Sequence, residues 1–218
     1  MIKAKELPIL FSAPMVRAIL EGRKMVTRRA VKATKAHADG FMMLDHGNGW
    51  WPYNAFGDFT SDHEGMEYPI ACPYGKPGDR LWVRETWIAD TQVDVLAPRH
   101  LSQGEPILYP ADGAIRQAGC EMITPGKLRP STHMPRWVSR ILLEITDVRV
   151  ERLQDITPEQ CIAEGVDAEM CRQFLETAPS RHTLKEAEIH GFSGLWNSVG
   201  GDWDTNPWVW CVSFRRIA

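Results

Sequence analysis

The run Trp137-Val-Ser-Arg-Ile-Leu-Leu-Glu-Ile-Thr-Asp-Val-Arg-Val150 restricts the possible folds of this chain more than any other segment. Apolar and β-branched residues recur there at alternate positions, the period of a half-buried strand. The run is also longer than an ordinary strand, which predicts either one bent strand or two strands crossing the corner of a barrel. Arg80–Trp87 and Trp208–Arg215 alternate in the same way, after the turn signals Lys76-Pro77-Gly78-Asp79 and Asn206-Pro207. Leu7–Phe11 reads as a short strand. A helix follows from Ser12-Ala-Pro14, with Met15, Val16, Ile19 and Leu20 on one face and Gly22 as its stop. Thr157-Pro158-Glu-Gln160 opens a second helix, with Thr157 as N-cap and Gln160 at the third position, and Gly165 closes it. Residues 167–198 read as helical.

Short strands, few helices and polar turns predict an α+β fold, a small, partly closed β-barrel with peripheral helices. Three long insertions interrupt it, at about 36–76, 88–133 and 167–205. The first is rich in glycine and aromatic residues and reads as a meandering hairpin or an ordered loop. A length of 218 residues suits one domain with elaborations, and 44% hydrophobic with 24% charged residues is a globular composition. No apolar run is long enough to span a bilayer and no signal-peptide pattern is present, so no membrane partner and a cytoplasmic location are expected. Five widely spaced cysteines without a C-x-x-C, and seven histidines without metal-ligand spacing, predict reduced thiols and neither metal nor other cofactor. The oligomeric state, monomer or dimer, is left open by the sequence.

The net charge of −3 is unevenly distributed. Residues 1–36 hold nine Lys or Arg against two Glu, a net of +7, which leaves −10 for the remainder. Such a patch either attracts a phosphate-bearing ligand or forms a solvated helix face. Within it stands Gly22-Arg-Lys24-Met-Val-Thr27-Arg28-Arg29. A threonine hydroxyl near a lysine amine is a nucleophile and base pair, provided that burial or neighbouring cations lower the lysine pKa. Amide hydrolysis would then need a carboxylate, placed on a separate element, to shuttle protons. The same cluster serves equally as an anion-binding turn, with Lys24 holding an anionic or carbonyl oxygen. In a regular strand, Lys24 and Thr27 would face opposite sides, so bringing them together needs a turn, a bulge or a helical turn.

At these residues the sequence resembles the ASCH domains, relatives of the PUA-like barrels that handle RNA and modified nucleosides. The pattern G-x-K-x-x-[ST]-x-R matches Gly22, Lys24, Thr27 and Arg29, and G-D-x-L-x-V matches Gly78, Asp79, Leu81 and Val83. The helix opening Leu153-Gln-Asp-Ile-Thr157 and the final aromatic strand Trp208-Val-Trp-Cys-Val-Ser-Phe also look like family elements. The stretch from Phe11 to Lys24 is similar to ASCH-type proteins of bacteriophages and prophages. The resemblance covers about residues 9–29, 77–87, 136–166 and 206–216. It implies a PUA-like fold. Because some small members are N4-acetylcytidine amidohydrolases with a Lys, Thr and Glu triad, it also implies acyl removal from the exocyclic amine of a modified cytidine. The catalytic residues so implied are Lys24, Thr27 and, by register from Leu153, Glu164.

Arg29 and Arg28 are the expected ligand-holding cations, with Ser12 and Arg84 as further pocket candidates and Glu85 as a carboxylate competing with Glu164. Each has an ordinary structural alternative: a helix-capping cation for Lys24, a strand threonine for Thr27, a solvated helix residue for Glu164, an ion pair for Arg29. Most of the nine tryptophans belong to a core, and Trp50, Trp51 and Trp87 are the candidates for stacking on a base. The alternative function is a non-catalytic module that binds RNA or modified nucleic acid, carried by the basic segment and the aromatic load. The fold alone does not choose between the two.

Overall fold

The computed structural model describes residues 4–32, 40–45, 47, 50–55, 69–177 and 184–218. In chain order the strands are β1 (Glu6–Leu10), β2 (Val26–Ala30), β3 (Gly40–Asp45), β4 (Trp50–Ala55), β5 (Arg80–Arg84), β6 (Ile107–Tyr109), β7 (Ala114–Arg116), β8 (Leu142–Arg152) and β9 (Trp208–Arg216). The helices are α1 (Ala13–Leu20), α2 (Pro158–Ala163), α3 (Ala168–Thr177) and α4 (Leu184–Ser198). The fold is α+β, built on a mixed five-stranded sheet of order β1-β5-β8-β9-β2. β1 runs parallel to β5, whereas the β5–β8 and β2–β9 pairs are antiparallel. Two hairpins, β3–β4 and β6–β7, stand outside this sheet. Among the described residues no helix is long and apolar enough to cross a membrane.

The long alternating segment does form the longest strand, but displaced towards the C-terminus. Pro135 starts a 3-10 turn over Arg136–Val138, where Val138 N donates to Pro135 O and Ser139 N to Arg136 O. Trp137 and Val138 are thereby taken out of the ladder, and the strand begins at Leu142 and runs on to Arg152. β5 ends at Arg84, earlier than its pattern predicts. Trp87 exchanges backbone hydrogen bonds with Arg129 instead, within the 88–133 segment's own architecture of 3-10 turns and the β6–β7 hairpin. That segment is pinned by Asp90, whose carboxylate accepts from Gln92 N, Ile123 N and Thr124 N. In the 36–76 segment Gly40–Asp45 and Trp50–Ala55 pair as the β3–β4 hairpin.

The chain divides into two compact units. One comprises the described residues of 1–22 with Gly78–Glu144 and Arg215–Ala218; the other comprises those of 23–77 with Ile145–Phe214. The first has a core of Trp87, Ala89, Leu101, Ile107, Tyr109, Met134 and Val138. In the second, Leu153, Ile156, Cys161, Val166, Phe192, Trp196, Val209 and Cys211 bury the contacts among α2, α3, α4 and β9. All five cysteines are free.

The start of α2 matches its sequence signal. Thr157 Oγ1 accepts from Gln160 N at 3.3 Å and Gln160 Oε1 accepts from Thr157 N at 3.0 Å, a reciprocal capping box. Loss of this cap in Thr157→Ala is expected to lower stability by about 1 kcal/mol, read from the urea midpoint at unchanged m-value.

Candidate active site

The site is assembled where the chain leaves α1. Gly22 at φ +76° takes a conformation that a residue with a Cβ rarely adopts, and residues 23–25 then run irregularly before β2 begins. Met25 fixes this stretch at both backbone groups: its N donates to Ala163 O at 2.8 Å and its O accepts from Phe214 N at 2.9 Å. Lys24 is therefore delivered to the C-terminal end of α2.

Glu164 is the C-cap of α2, and Gly165 at φ +97° ends the helix there. Lys24 Nζ donates to Glu164 Oε2 at 2.6 Å, to Glu164 O at 2.8 Å and to Val26 O at 2.7 Å. The second oxygen of the carboxylate, Oε1, accepts from Arg28 Nη1 at 3.2 Å. Lys24, Arg28 and Glu164 are each no more than 4% exposed. A carboxylate at a helix C-terminus opposes the helix dipole, and the two cations offset it. Burial pulls the Lys24 pKa below its ordinary value. The Glu164 charge and hydrogen bond pull the other way, while Arg29 and Arg28 reinforce the lowering.

Thr27 is buried on β2, opposite Val212 of β9. Alternation along the strand puts Thr27 and the half-buried Arg29 on one face and Arg28 on the other. The Thr27 hydroxyl makes no hydrogen bond to another described residue, so its proton and lone pairs are uncommitted among them. The structure thus joins Lys24, Glu164 and Arg28 directly, and leaves Thr27 beside them in sequence but not bonded to them.

Arg28 is committed to the protein interior, in contrast to its expected role as a ligand-holding cation. Its Nη2 donates to Gln160 Oε1 at 2.8 Å and to Glu151 Oε2 at 3.2 Å. Glu151 is held in turn by Arg149 and by Cys211 Sγ, which donates to its Oε2 at 3.2 Å. Burial alone would raise the Glu151 pKa. The Arg149 and Cys211 hydrogen bonds and the nearby guanidinium charges outweigh it and hold the carboxyl below the usual range. Sequence reasoning used Gln160 only as a cap and did not single out Glu151 or Cys211. The signal available was the apolar run of β9, in which Cys211 is a buried position opposite Arg28 of β2.

Ser12, Arg84, Glu85 and Trp87 belong to the other unit. Ser12 is the exposed N-cap of α1 and makes no side-chain cap bond. Arg84 lies over the Trp82 ring at 4.5 Å and donates to Thr132 O at 3.3 Å. Glu85 is 1% exposed and receives both Nε and Nη2 of Arg140 at 2.8 and 2.9 Å, and Arg140 also reaches Asp112 at 2.8 Å. Trp87 is fully buried in the core with Arg129 against its ring, so here it presents no face to a base. Trp51 donates its Nε1 to Ile70 O at 2.8 Å and is half-buried; the side chain of Trp50 lies outside the described residues. Among the described residues no three His, Cys, Asp or Glu side chains group as a metal site requires. No protein-family model, no curated protein and no solved structure matches the chain.

The depressed Glu151 pKa makes an acid-side prediction. Below the unfolded value near 4.5, the unfolded chain takes up a proton that the native carboxylate refuses. The stabilisation from Glu151 is complete above that pH and is lost as pH falls through the native pKa. The stability difference between the wild type and Glu151→Gln is expected to shrink progressively below about pH 4.5, measured by urea unfolding at fixed ionic strength.

Proposed function

We propose that the protein is a metal-independent amidohydrolase of the ASCH type, with that family's partly closed barrel, which removes the acyl group from N4-acylated cytidine. The observation that carries this reading is the buried Lys24–Glu164 contact of 2.6 Å, with Thr27, close by in sequence and also buried, carrying a hydroxyl that makes no hydrogen bond to another described residue. An ammonium has three protons to donate, and Lys24 donates to three oxygens of the protein. It therefore acts on a ligand only after giving up a proton, and Glu164 Oε2 is the titratable acceptor in contact. This favours Lys24 as a base over Lys24 as a holder of the acyl oxygen.

The steps balance without a cofactor. Lys24 passes a proton to Glu164, and both become neutral in a site where burial already disfavours charge. Neutral Lys24 takes the Thr27 proton as Thr27 Oγ1 attacks the acyl carbon. The bond to the exocyclic nitrogen breaks, and Glu164 gives its proton to the leaving amine. Water then attacks the acyl-threonine and loses a proton to Glu164. Lys24 returns its proton to Thr27, and a carboxylic acid and cytidine are released. In the alternative order Thr27 orients the attacking water, and mass-spectrometric trapping of an acyl-threonine separates the two. Arg29, on the strand face that carries Thr27, is assigned to holding the ligand.

The nucleic-acid reader is less well supported. Its main motivation was the basic amino-terminal segment, yet Lys24 and Arg28 of that segment are buried in ion pairs. The amidohydrolase reading places the protein in the cytoplasm, where its five free thiols stay reduced. Incubation with N4-acetylcytidine, followed by ultraviolet absorbance, is expected to show conversion to cytidine. Lys24→Ala, Thr27→Ala and Glu164→Gln are each expected to lower kcat at least about 100-fold. Full activity in any of the three removes its assigned role, and salt-sensitive oligonucleotide binding without hydrolysis supports the reader instead.

A further inference from the structure

We infer that Arg28 is a positioning residue, which holds the Glu164 carboxylate in one orientation from behind and touches no substrate itself. The inference rests on the amidohydrolase reading above for its catalytic consequence, and on geometry for the clamp.

The two oxygens of Glu164 are divided between two cations. Oε2 belongs to Lys24 at 2.6 Å, and Oε1 belongs to Arg28 at 3.2 Å. A carboxylate held at one oxygen only can swing about its terminal torsion, which is broad for glutamate. Held at both, it cannot, and Oε2 stays aimed at Lys24. Arg28 is itself held at several points. Its backbone lies in the β2–β9 ladder opposite Cys211, and its side chain is 1% exposed. Its Nη2 is anchored by Gln160 Oε1 at 2.8 Å and by Glu151 Oε2 at 3.2 Å. Gln160 is fixed by the capping box that starts α2, and Glu151 by Arg149 and Cys211. The planar guanidinium fork thus bridges the first turn of α2 and the helix's C-cap.

Charge supports the same assignment. Lys24, Arg28 and Arg149 face Glu164, Glu151 and Asp147, three cations against three carboxylates, all within the second unit. With Glu151 neutralising one end of Arg28, the other end can hold Glu164 without leaving an unpaired buried cation. Arg28 also points to the strand face opposite Thr27 and Arg29, away from the hydroxyl that would meet the acyl group.

The test uses the full chain in two independent measurements. In the first, Arg28→Gln is expected to lower kcat about 100-fold with KM within about threefold, and Arg28→Lys, which restores a cation, to recover about tenfold of that loss. An unchanged kcat, or a loss confined to KM, overturns the positioning role and marks Arg28 as a ligand contact. The second measurement needs no activity. The buried Lys24 ammonium should give a slowly exchanging nitrogen-15 signal, assigned by its absence in Lys24→Met, and Arg28→Gln is expected to shift or broaden it. An unmoved signal in a folded variant overturns the clamp even if the protein hydrolyses nothing. If Arg28→Gln does not fold, Glu151→Gln weakens the anchor while preserving shape. It is expected to lower kcat about fivefold and shift the same Lys24 signal; no change in either overturns the inference.

Discussion

The arrangement depends on one contact, the buried ion pair between Lys24, at the irregular entry to β2, and Glu164, at the last residue of α2. Two stretches of chain 140 residues apart in sequence are brought to 2.6 Å by it. The backbone prepares the meeting: Met25 N bonds to Ala163 O, one residue before Glu164. The side chains complete it, because Lys24 Nζ takes both the Glu164 carboxylate and the Glu164 carbonyl. A cation on the last carbonyls of a helix is favourable, whereas a carboxylate there is not. Lys24 therefore stabilises the helix end directly, and makes Glu164 tolerable there.

Stability alone does not account for such a pair. Two charges withdrawn from water cost several kcal/mol each, and apolar replacements of similar volume are often neutral or better. The Glu85–Arg140 pair is a useful contrast. There the fork is bidentate, Arg140 keeps partial contact with solvent and lies 4.1 Å from the Tyr109 ring, and Asp112 takes its remaining nitrogen. This geometry meets the needs of a structural ion pair, and among the described residues no lysine is bonded to Glu85. At Glu164 the partner is an amine whose pKa burial has lowered, so proton transfer across the contact is a reaction within reach. The two buried carboxylates are distinguished by their neighbours.

Local signals in the sequence were read accurately where local physics decides the outcome. The capping box at Thr157, the glycine stops at Gly22 and Gly165 and the existence of β9 each depend on a few adjacent residues, although β9 is buried continuously over Val209–Val212 instead of alternating. Alternation places the long strand about five residues too early, because Pro135 diverts Trp137 and Val138 into a 3-10 turn, and burial of Val138 there satisfies the same apolar pattern. Trp87 failed as a base-stacking candidate for a similar reason: a lone tryptophan after a strand carries no mark of which side will be covered, and the 88–133 segment covers it. Lys24 and Glu164 were named together only through a resemblance. Nothing in the spacing of residues that far apart indicates contact. The role of Arg28 was not legible either, since an arginine between Thr27 and Arg29 looks like one more surface cation until the partners on β8, β9 and α2 are in place.

That last point bears on how the site keeps its charge in order. β2 carries two arginines in succession, and strand alternation sends them to opposite faces. Arg28 goes inward, where Glu151 and Glu164 neutralise it. Arg29 stays half-buried on the face of Thr27, and its charge reinforces the lowering of the Lys24 pKa that burial causes. A one-residue slip of β2 against β9 would exchange the two, placing Thr27 among the carboxylates and an arginine where the hydroxyl now lies. The register Thr27↔Val212 and Arg28↔Cys211 is therefore what separates the side that holds the carboxylates from the side that carries Thr27. It is secured by the same Met25 backbone bonds that deliver Lys24 to Glu164. Position, charge and register at this strand entry are consequently set by a single local structure.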